Sequence, residues 1–427
     1  MLRFIVIFLA GGMGALMANR GIAFFNDAVR VFAPEFREGR MTRAEFATTS
    51  FALSIGLVIG FGIPFSVMSP IILMHTVWLT TDIIGTFFPG KPIDNWYQDK
   101  ESLFGAGMSI LVGGIYGVML LVGLEAFMNV MKSLPINVFD SWMLLGNPII
   151  YAFAAFPCLV VAMDYGWKKG LFSLVFVVLL RQVVIAIGQS SIADGVALLV
   201  GLLIVVFFAV KDKTPSEGDL SATFSNRVQN IRKNIVWFFV MGGIYGLAVN
   251  ISLIMEGPQS LIALIDGNTS AAVGISIARA LSFVPLIGLT SIMAGAFCVS
   301  GFGFVAVAGL LAPNMIVAFI AGGVVMSLEA LSLVGVAKIF DKFPGVRRSG
   351  DSMRVAMTKL LEIAILVGSM MAADAMAPGL GFFVVAGIFV MNDYFARPMV
   401  RMAVGPVGTI IVAVLVNVLA YAGLYVG

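Results

Sequence analysis

The stretch Lys359–Gly379, KLLEIAILVGSMMAADAMAPG, decides the fold class, because it places Glu362 and Asp374 in a run that is otherwise apolar. The run is long enough to cross a bilayer as a helix, which takes about 20 residues. At about 1.5 Å per residue the two carboxylates are roughly 18 Å apart along a continuous helix, so one site cannot hold both. Glu362 falls one turn after Lys359, where a surface pair is possible, and Asp374 one turn before Pro378. Asp374 therefore reads as a helix-end residue, with Glu362 as a second-rank candidate for coupling-ion binding.

The rest of the chain repeats this pattern. It has 427 residues, 60% hydrophobic and 11% charged, with a mean hydropathy of +1.04, whereas a soluble domain is about a quarter charged. The reading is an all-α polytopic integral membrane protein, one membrane domain over 1–427. Apolar segments fall near 2–18, 50–68, 70–88, 103–127, 146–163, 170–187 and 194–210, then near 235–255, 274–296, 298–311, 314–335, 358–375, 378–391 and 404–426. The short segments 298–311 and 378–391 read as half-helices or re-entrant hairpins, tolerated only where protein or water covers the backbone, so the expected count is about 11 to 14. The first run, LRFIVIFLAGGMGALM, lacks a small-residue cleavage site and is kept as a span.

Charge sets the expected orientation. The cation-rich loops 20–43, 211–233 and 338–359 belong in the cytoplasm, with the N-terminus outside and the acidic loop around Glu256 and Asp266 outside as well. A net charge of +3 distributed this way does not point to nucleic acid. Two cysteines, Cys158 and Cys298, and one histidine, His75, leave no parts for a disulfide framework or a metal site, and no cofactor is expected. A phosphate-binding P-loop, a G-x-S-x-G elbow and an H-E-x-x-H helix are all missing, so no catalytic residue is assigned.

Two charged stretches, 20–46 and 337–357, each mix apolar and basic residues around a proline, Pro34 or Pro344, and read as amphipathic interfacial segments or as solvated topogenic loops. Each follows an AGG triplet, Ala10–Gly12 or Ala321–Gly323, which points to repeat units near 1–88 and 314–400. The pentapeptide GGIYG at Gly113 and again at Gly242 is either a second trace of repetition or a helix-packing motif of small residues.

Ionisable groups deep in a bilayer cost at least about 2.5 to 3.5 kcal/mol and normally face a cavity or a partner. Asp82, beside Thr80 and Thr81, is the leading acid, either at a solute or ion site or as the cap of a half-helix. Arg279 precedes Ser282, Pro285, Thr290 and Ser291 in the strongest candidate for a broken helix, and either binds an anionic solute or pairs with an acid. Glu329 joins Asp82 and Glu362 as an ion-coupling candidate. Arg181 reads as a buried partner or a snorkelling residue.

The pieces NRGIAFFNDAVRVFAPEFREGRM, ALSIGLVIGFGIPFS, TTDIIG, RALSFVPLIGLTS, KFPGVRRSGDSMRVAMTKLLEIAILVGSMMAA and NDYFARPMVRMA together resemble the YhfT family of bacterial inner-membrane transport proteins. That family is distantly similar to the ascorbate-type membrane component of the sugar phosphotransferase system. The resemblance implies a homodimer with an elevator-type scaffold and moving core, carrying a carbohydrate-like solute or a small organic anion. The chain departs from the phosphotransferase pattern in lacking a phosphorylated domain and a histidine-rich site. The expected function is ion-coupled or facilitated transport of a small polar solute. A membrane-embedded enzyme on a lipid-linked substrate and a non-transporting membrane scaffold are the alternatives.

Overall fold

A computed structural model describes residues 1–425 apart from 27–28, 30–31, 34, 37–38, 59–61, 68–69, 91–95, 137, 214–228, 230, 295, 299–301 and 341–342. Most of the charged loop 211–233, and Pro34 in the 20–46 segment, lie outside the described residues. The first half of the chain forms α1 (Leu2–Asn19), β1 (Ala23–Phe24), α2 (Arg43–Leu57), α3 (Ile63–Val67), β2 (Ile72–Leu73), α4 (Met74–Phe87), α5 (Lys100–Lys132), α6 (Val138–Met143), α7 (Gly146–Tyr165), α8 (Trp167–Ala186) and α9 (Ser190–Lys211). The second forms α10 (Ile235–Asn250), β3 (Ile254–Met255), α11 (Pro258–Ile265), α12 (Thr269–Ala294), β4 (Phe297–Cys298), α13 (Gly303–Leu311), α14 (Met315–Phe340), α15 (Pro344–Met376), α16 (Leu380–Tyr394) and α17 (Arg401–Tyr421).

Among the described residues, eight of these helices are long and apolar enough to cross a membrane, and α10, α16 and the first part of α12 are shorter apolar helices. Large apolar side chains such as Leu171, Phe172 and Leu179 on α8 point outward, as they do where lipid rather than water is the solvent. The nine residues of α13 reach only about 13 Å, half the hydrocarbon thickness. The 337–357 stretch is divided between the end of α14 and the first turns of α15, where Pro344 occupies the N-terminal position that spares a missing donor.

Small residues set the helix packing. A Cβ on Gly113 of α5 would stand 2.5 Å from the Gly11 carbonyl oxygen of α1, so only glycine allows this approach. The same contacts recur between α10 and α14. Gly11, Gly12 and Ala15 of α1 meet Gly113 and Ile110 of α5, as Gly242, Gly243 and Gly246 of α10 meet Gly322 and Phe319 of α14. Phe8 covers Gly114, as Phe239 covers Gly323. At the end of α1, Asn19 Nδ2 donates to the carbonyls of Gly85 and Phe88 at the end of α4. At the end of α10, Asn250 Nδ2 donates to those of Gly309 and Ala312 at the end of α13. Both first helices close on a residue of positive φ, Gly21 or Ser252, followed by matching 2.8 Å bonds from Ile22 N to Met17 O and from Leu253 N to Ala248 O.

The strands fix the relative direction of these two units. α1 and α4 run the same way, since Trp78 meets Ala10 and Gly85 meets Ala15 and Asn19. β2, at the start of α4, pairs with β3, at the end of α10, and β1, at the end of α1, pairs with β4, which precedes α13. α10 therefore ends where α4 begins, and runs antiparallel to α1. Near this crossing Trp78 and Phe302 pack with ring centroids 4.9 Å apart.

Two main cores result. One gathers α1, α4, α10, α13, α14 and the strands, and the other gathers α7, α9 and α15 with Phe65 of α3, Leu73 of β2 and Phe283 of α12. Each draws helices from both halves of the chain. α15, α16 and α17 add a smaller cluster beside the second.

Candidate functional site

The Thr80-Thr81-Asp82 group sits on α4 facing the end of β1. Asp82 is fully buried, and its Oδ2 accepts from the backbone amides of Phe25 and Asn26 at 2.8 and 2.7 Å. A carboxylate thus holds two backbone donors just past the strand, a charge-assisted arrangement suited to a site without water. Thr80 receives the Tyr116 hydroxyl and donates to Thr76 O, while Thr81 donates to Trp78 O. The two threonine hydroxyls therefore serve α4 and its packing against α5.

Arg279 lies on α12, which continues as helix from Thr269 to Ala294 through position 285. The break expected at Pro285 is absent, and the chain leaves helical geometry only before β4. Ser282 donates to Arg279 O, and Ser291 is buried. The side chains of Pro285 and Thr290 lie outside the described residues.

The partner of Arg279 is Glu256. Its Oε2 stands 2.7 Å from Arg279 Nε in an ion pair, and its Oε1 takes hydrogen bonds from Ser260 at 2.8 Å and Ser276 at 3.2 Å. Gly257 lies against the guanidinium, where a Cβ would be 2.7 Å from Nη1. Glu256 lies in the connection between α10 and α11, yet its side chain is only 2% exposed: β3 and α11 fold it inward onto α12, while Asp266 remains exposed. The Tyr245 ring packs between Trp78 and Phe302, and its buried hydroxyl has no hydrogen-bond partner among the described residues.

From this pair a cleft opens between α12 and the second core. It is lined by Arg279, Ser282, Gln259, Ser191 and Asp194, among apolar side chains of α7 and α9. Its interior volume is about 40 Å³, room for a few waters. Asp194 Oδ1 accepts from Arg181 Nε at 2.7 Å, and Arg181 lies over the Tyr151 ring in a neighbouring, mostly apolar hollow of about 430 Å³ between α7, α8 and α9.

The remaining candidates lie elsewhere. Glu329 sits on α14 with Oε1 buried and without a hydrogen-bond partner among the described residues. Glu362 pairs with Arg401 Nε at 2.7 Å rather than with Lys359, and Arg401 also reaches Asp393. Asp374 Oδ1 accepts from Gly379 N, closing the turn between α15 and α16. The residues missed in the sequence are Glu256, Asp194 and Tyr245. The apolar run ISLIM before Glu256 was the available signal that this acid lies inside.

A helical bundle with apolar outer faces and, among the described residues, eight helices long and apolar enough to cross a bilayer is that of a multi-pass membrane protein. The chain belongs to the YhfT family, described as a protein of unknown function, which it matches over residues 3–425. It is 31% identical over 444 aligned positions to the uncharacterized protein YhfT of Escherichia coli (strain K12), covering 100% of this chain and 99% of that relative. No solved structure matches.

Proposed function

We propose that the protein is a secondary transporter that carries a small polar solute across the bacterial inner membrane, with no catalytic residue. The observation that carries this reading is the recurrence of one set of contacts in two units of opposite direction, α1–α4–α5 and α10–α13–α14. Inverted units meeting at interrupted helices are the structural basis of alternating access, because exchanging the conformations of the two units turns the site from one side to the other. In this proposal the two cores move against each other in an elevator-type manner within a homodimer; the division of the interior into two main clusters supports the motion.

In this reading Asp82 binds the coupling proton or sodium ion where β1 meets α4. Reconstituted protein should take up a solute from a panel of polar metabolites under a proton or sodium gradient. Asp82→Asn should retain the elution position of the wild type and lose the gradient dependence. Gradient-driven uptake unchanged in Asp82→Asn removes Asp82 from the coupling role, and failure of every solute to accumulate in sealed vesicles refutes transport.

A further inference from the structure

We propose that the cleft between α9 and α12 binds a small zwitterion of the α-amino-acid type, its carboxylate on Arg279 and its ammonium on Asp194; this rests on the transporter reading for the movement of the solute but not for its binding. One cleft presents both charges, and each is held from behind by a partner that does not line it, Glu256 or Arg181.

Each charge also keeps an unused edge. Arg279 is engaged through Nε, and its two terminal nitrogens make no hydrogen bond to any described residue. Asp194 is engaged through Oδ1, and its Oδ2 makes none. A guanidinium presents a planar fork to a carboxylate, and a carboxylate oxygen accepts readily from an ammonium.

Charge balance selects the solute. With both internal pairs intact the cleft is neutral, and a lone anion or cation would bring an uncompensated charge into a low-dielectric site. A zwitterion adds two charges of opposite sign and leaves the balance unchanged. The spacing is short as well, since a Cβ on Gly195, next to Asp194, would lie 3.8 Å from the backbone of Ala278, next to Arg279. The two charged residues therefore flank a single helix contact. Gln259, Ser191 and Ser282 supply polar contacts beside them, and Phe153, Ile275 and Phe283 offer an apolar wall for a side chain. With about 40 Å³ inside, the cleft is too small for an amino acid in this conformation, and binding requires α9 and α12 to part.

The test uses purified full-length protein in lipid nanodiscs, titrated with the L-α-amino acids and, for each that binds, with its deaminated carboxylate and its decarboxylated amine. At least one amino acid should bind. Both analogues should bind more than about tenfold more weakly, since each forfeits a charge-assisted hydrogen bond. Arg279→Gln and Asp194→Asn should reduce binding by a similar factor, and the conservative Arg279→Lys and Asp194→Glu, checked by melting and elution, guard against loss of fold. Absence of binding by every amino acid overturns the proposal, as does a deaminated carboxylate that binds as tightly as its parent. A zwitterion that binds but is not carried into vesicles defeats the transporter reading alone. Uptake of a non-zwitterionic solute that Asp194→Asn leaves untouched defeats this site alone.

Discussion

Alanine at Gly113 tests both the packing and its recurrence. The new Cβ would lie 2.5 Å from the Gly11 carbonyl oxygen and 2.6 Å from the Ala15 Cβ. Carbon–oxygen contacts ordinarily begin near about 3.3 Å, so α1 and α5 must part by most of an ångström. Overpacking of this kind costs about 1 to 3 kcal/mol. Gly107 and Gly123 lie on the same helix with nothing within 4 Å of an added Cβ, and alanine there should gain about 0.5 to 1 kcal/mol through reduced chain freedom. Gly322 of α14 meets the carbonyl of Gly242 and the Cα of Gly246 in the same manner, and Gly335 is its open counterpart. Equilibrium unfolding in mixed micelles should therefore rank Gly113→Ala and Gly322→Ala together, about 1 to 3 kcal/mol below Gly107→Ala and Gly335→Ala. Equal stability of Gly113→Ala and Gly107→Ala refutes the packing argument. A loss confined to one of Gly113 and Gly322 refutes the equivalence of the two units.

Asn19→Leu and Asn250→Leu should each lower stability by about 1 to 3 kcal/mol, because each leaves two buried or part-buried carbonyls without their donor; the same unfolding assay checks that the two losses match. Thr42→Ala should cost about 1 kcal/mol by removing the capping box of α2. The backbone amide and hydroxyl of Thr42 hold the Glu45 carboxyl below its ordinary value of 4.5, so its contribution is complete above that pH and is lost as pH falls through the lower folded value. The difference in melting temperature between wild type and Glu45→Gln should accordingly shrink in acid.

The membrane class was legible because hydropathy depends on neither partner nor register. The pairing of segments was not. AGG in α1 resembles AGG in α14, and GGIYG in α5 resembles GGIYG in α10, yet in space AGG of α1 packs on GGIYG of α5, and GGIYG of α10 on AGG of α14. The contact equivalence runs from α1 to α10 and from α5 to α14. Small-residue motifs report that a helix face must approach another closely, and both members of such a pair carry one. Arg279 and Asp82 stood out as charges in apolar runs. Glu256 did not, because its burial depends on a reversal of chain direction after β3 that brings Ser260, Ser276 and Arg279 around it. Proline likewise misled at position 285, since the local rule describes an isolated helix and α12 continues through it.

A buried ion pair is poor evidence of stabilisation, because an apolar pair of similar volume often does as well or better by about 1 to 4 kcal/mol. Retention of Glu256 and Arg279 inside the bundle therefore argues for a role that apolar residues cannot fill. Single and double substitutions separate the two accounts. Arg279→Met leaves the nearly inaccessible Glu256 carboxylate without its cation and should cost about 3 to 5 kcal/mol, more than Glu256→Leu, which leaves the better exposed guanidinium. The double variant Glu256→Leu, Arg279→Met removes both charges and should recover most of that loss in a melting experiment. If the pair exists to present Arg279 to a solute, the recovered protein is folded and elutes as wild type but neither binds nor transports. A stable double variant that still takes up solute would make the pair a dispensable packing element and move the site elsewhere.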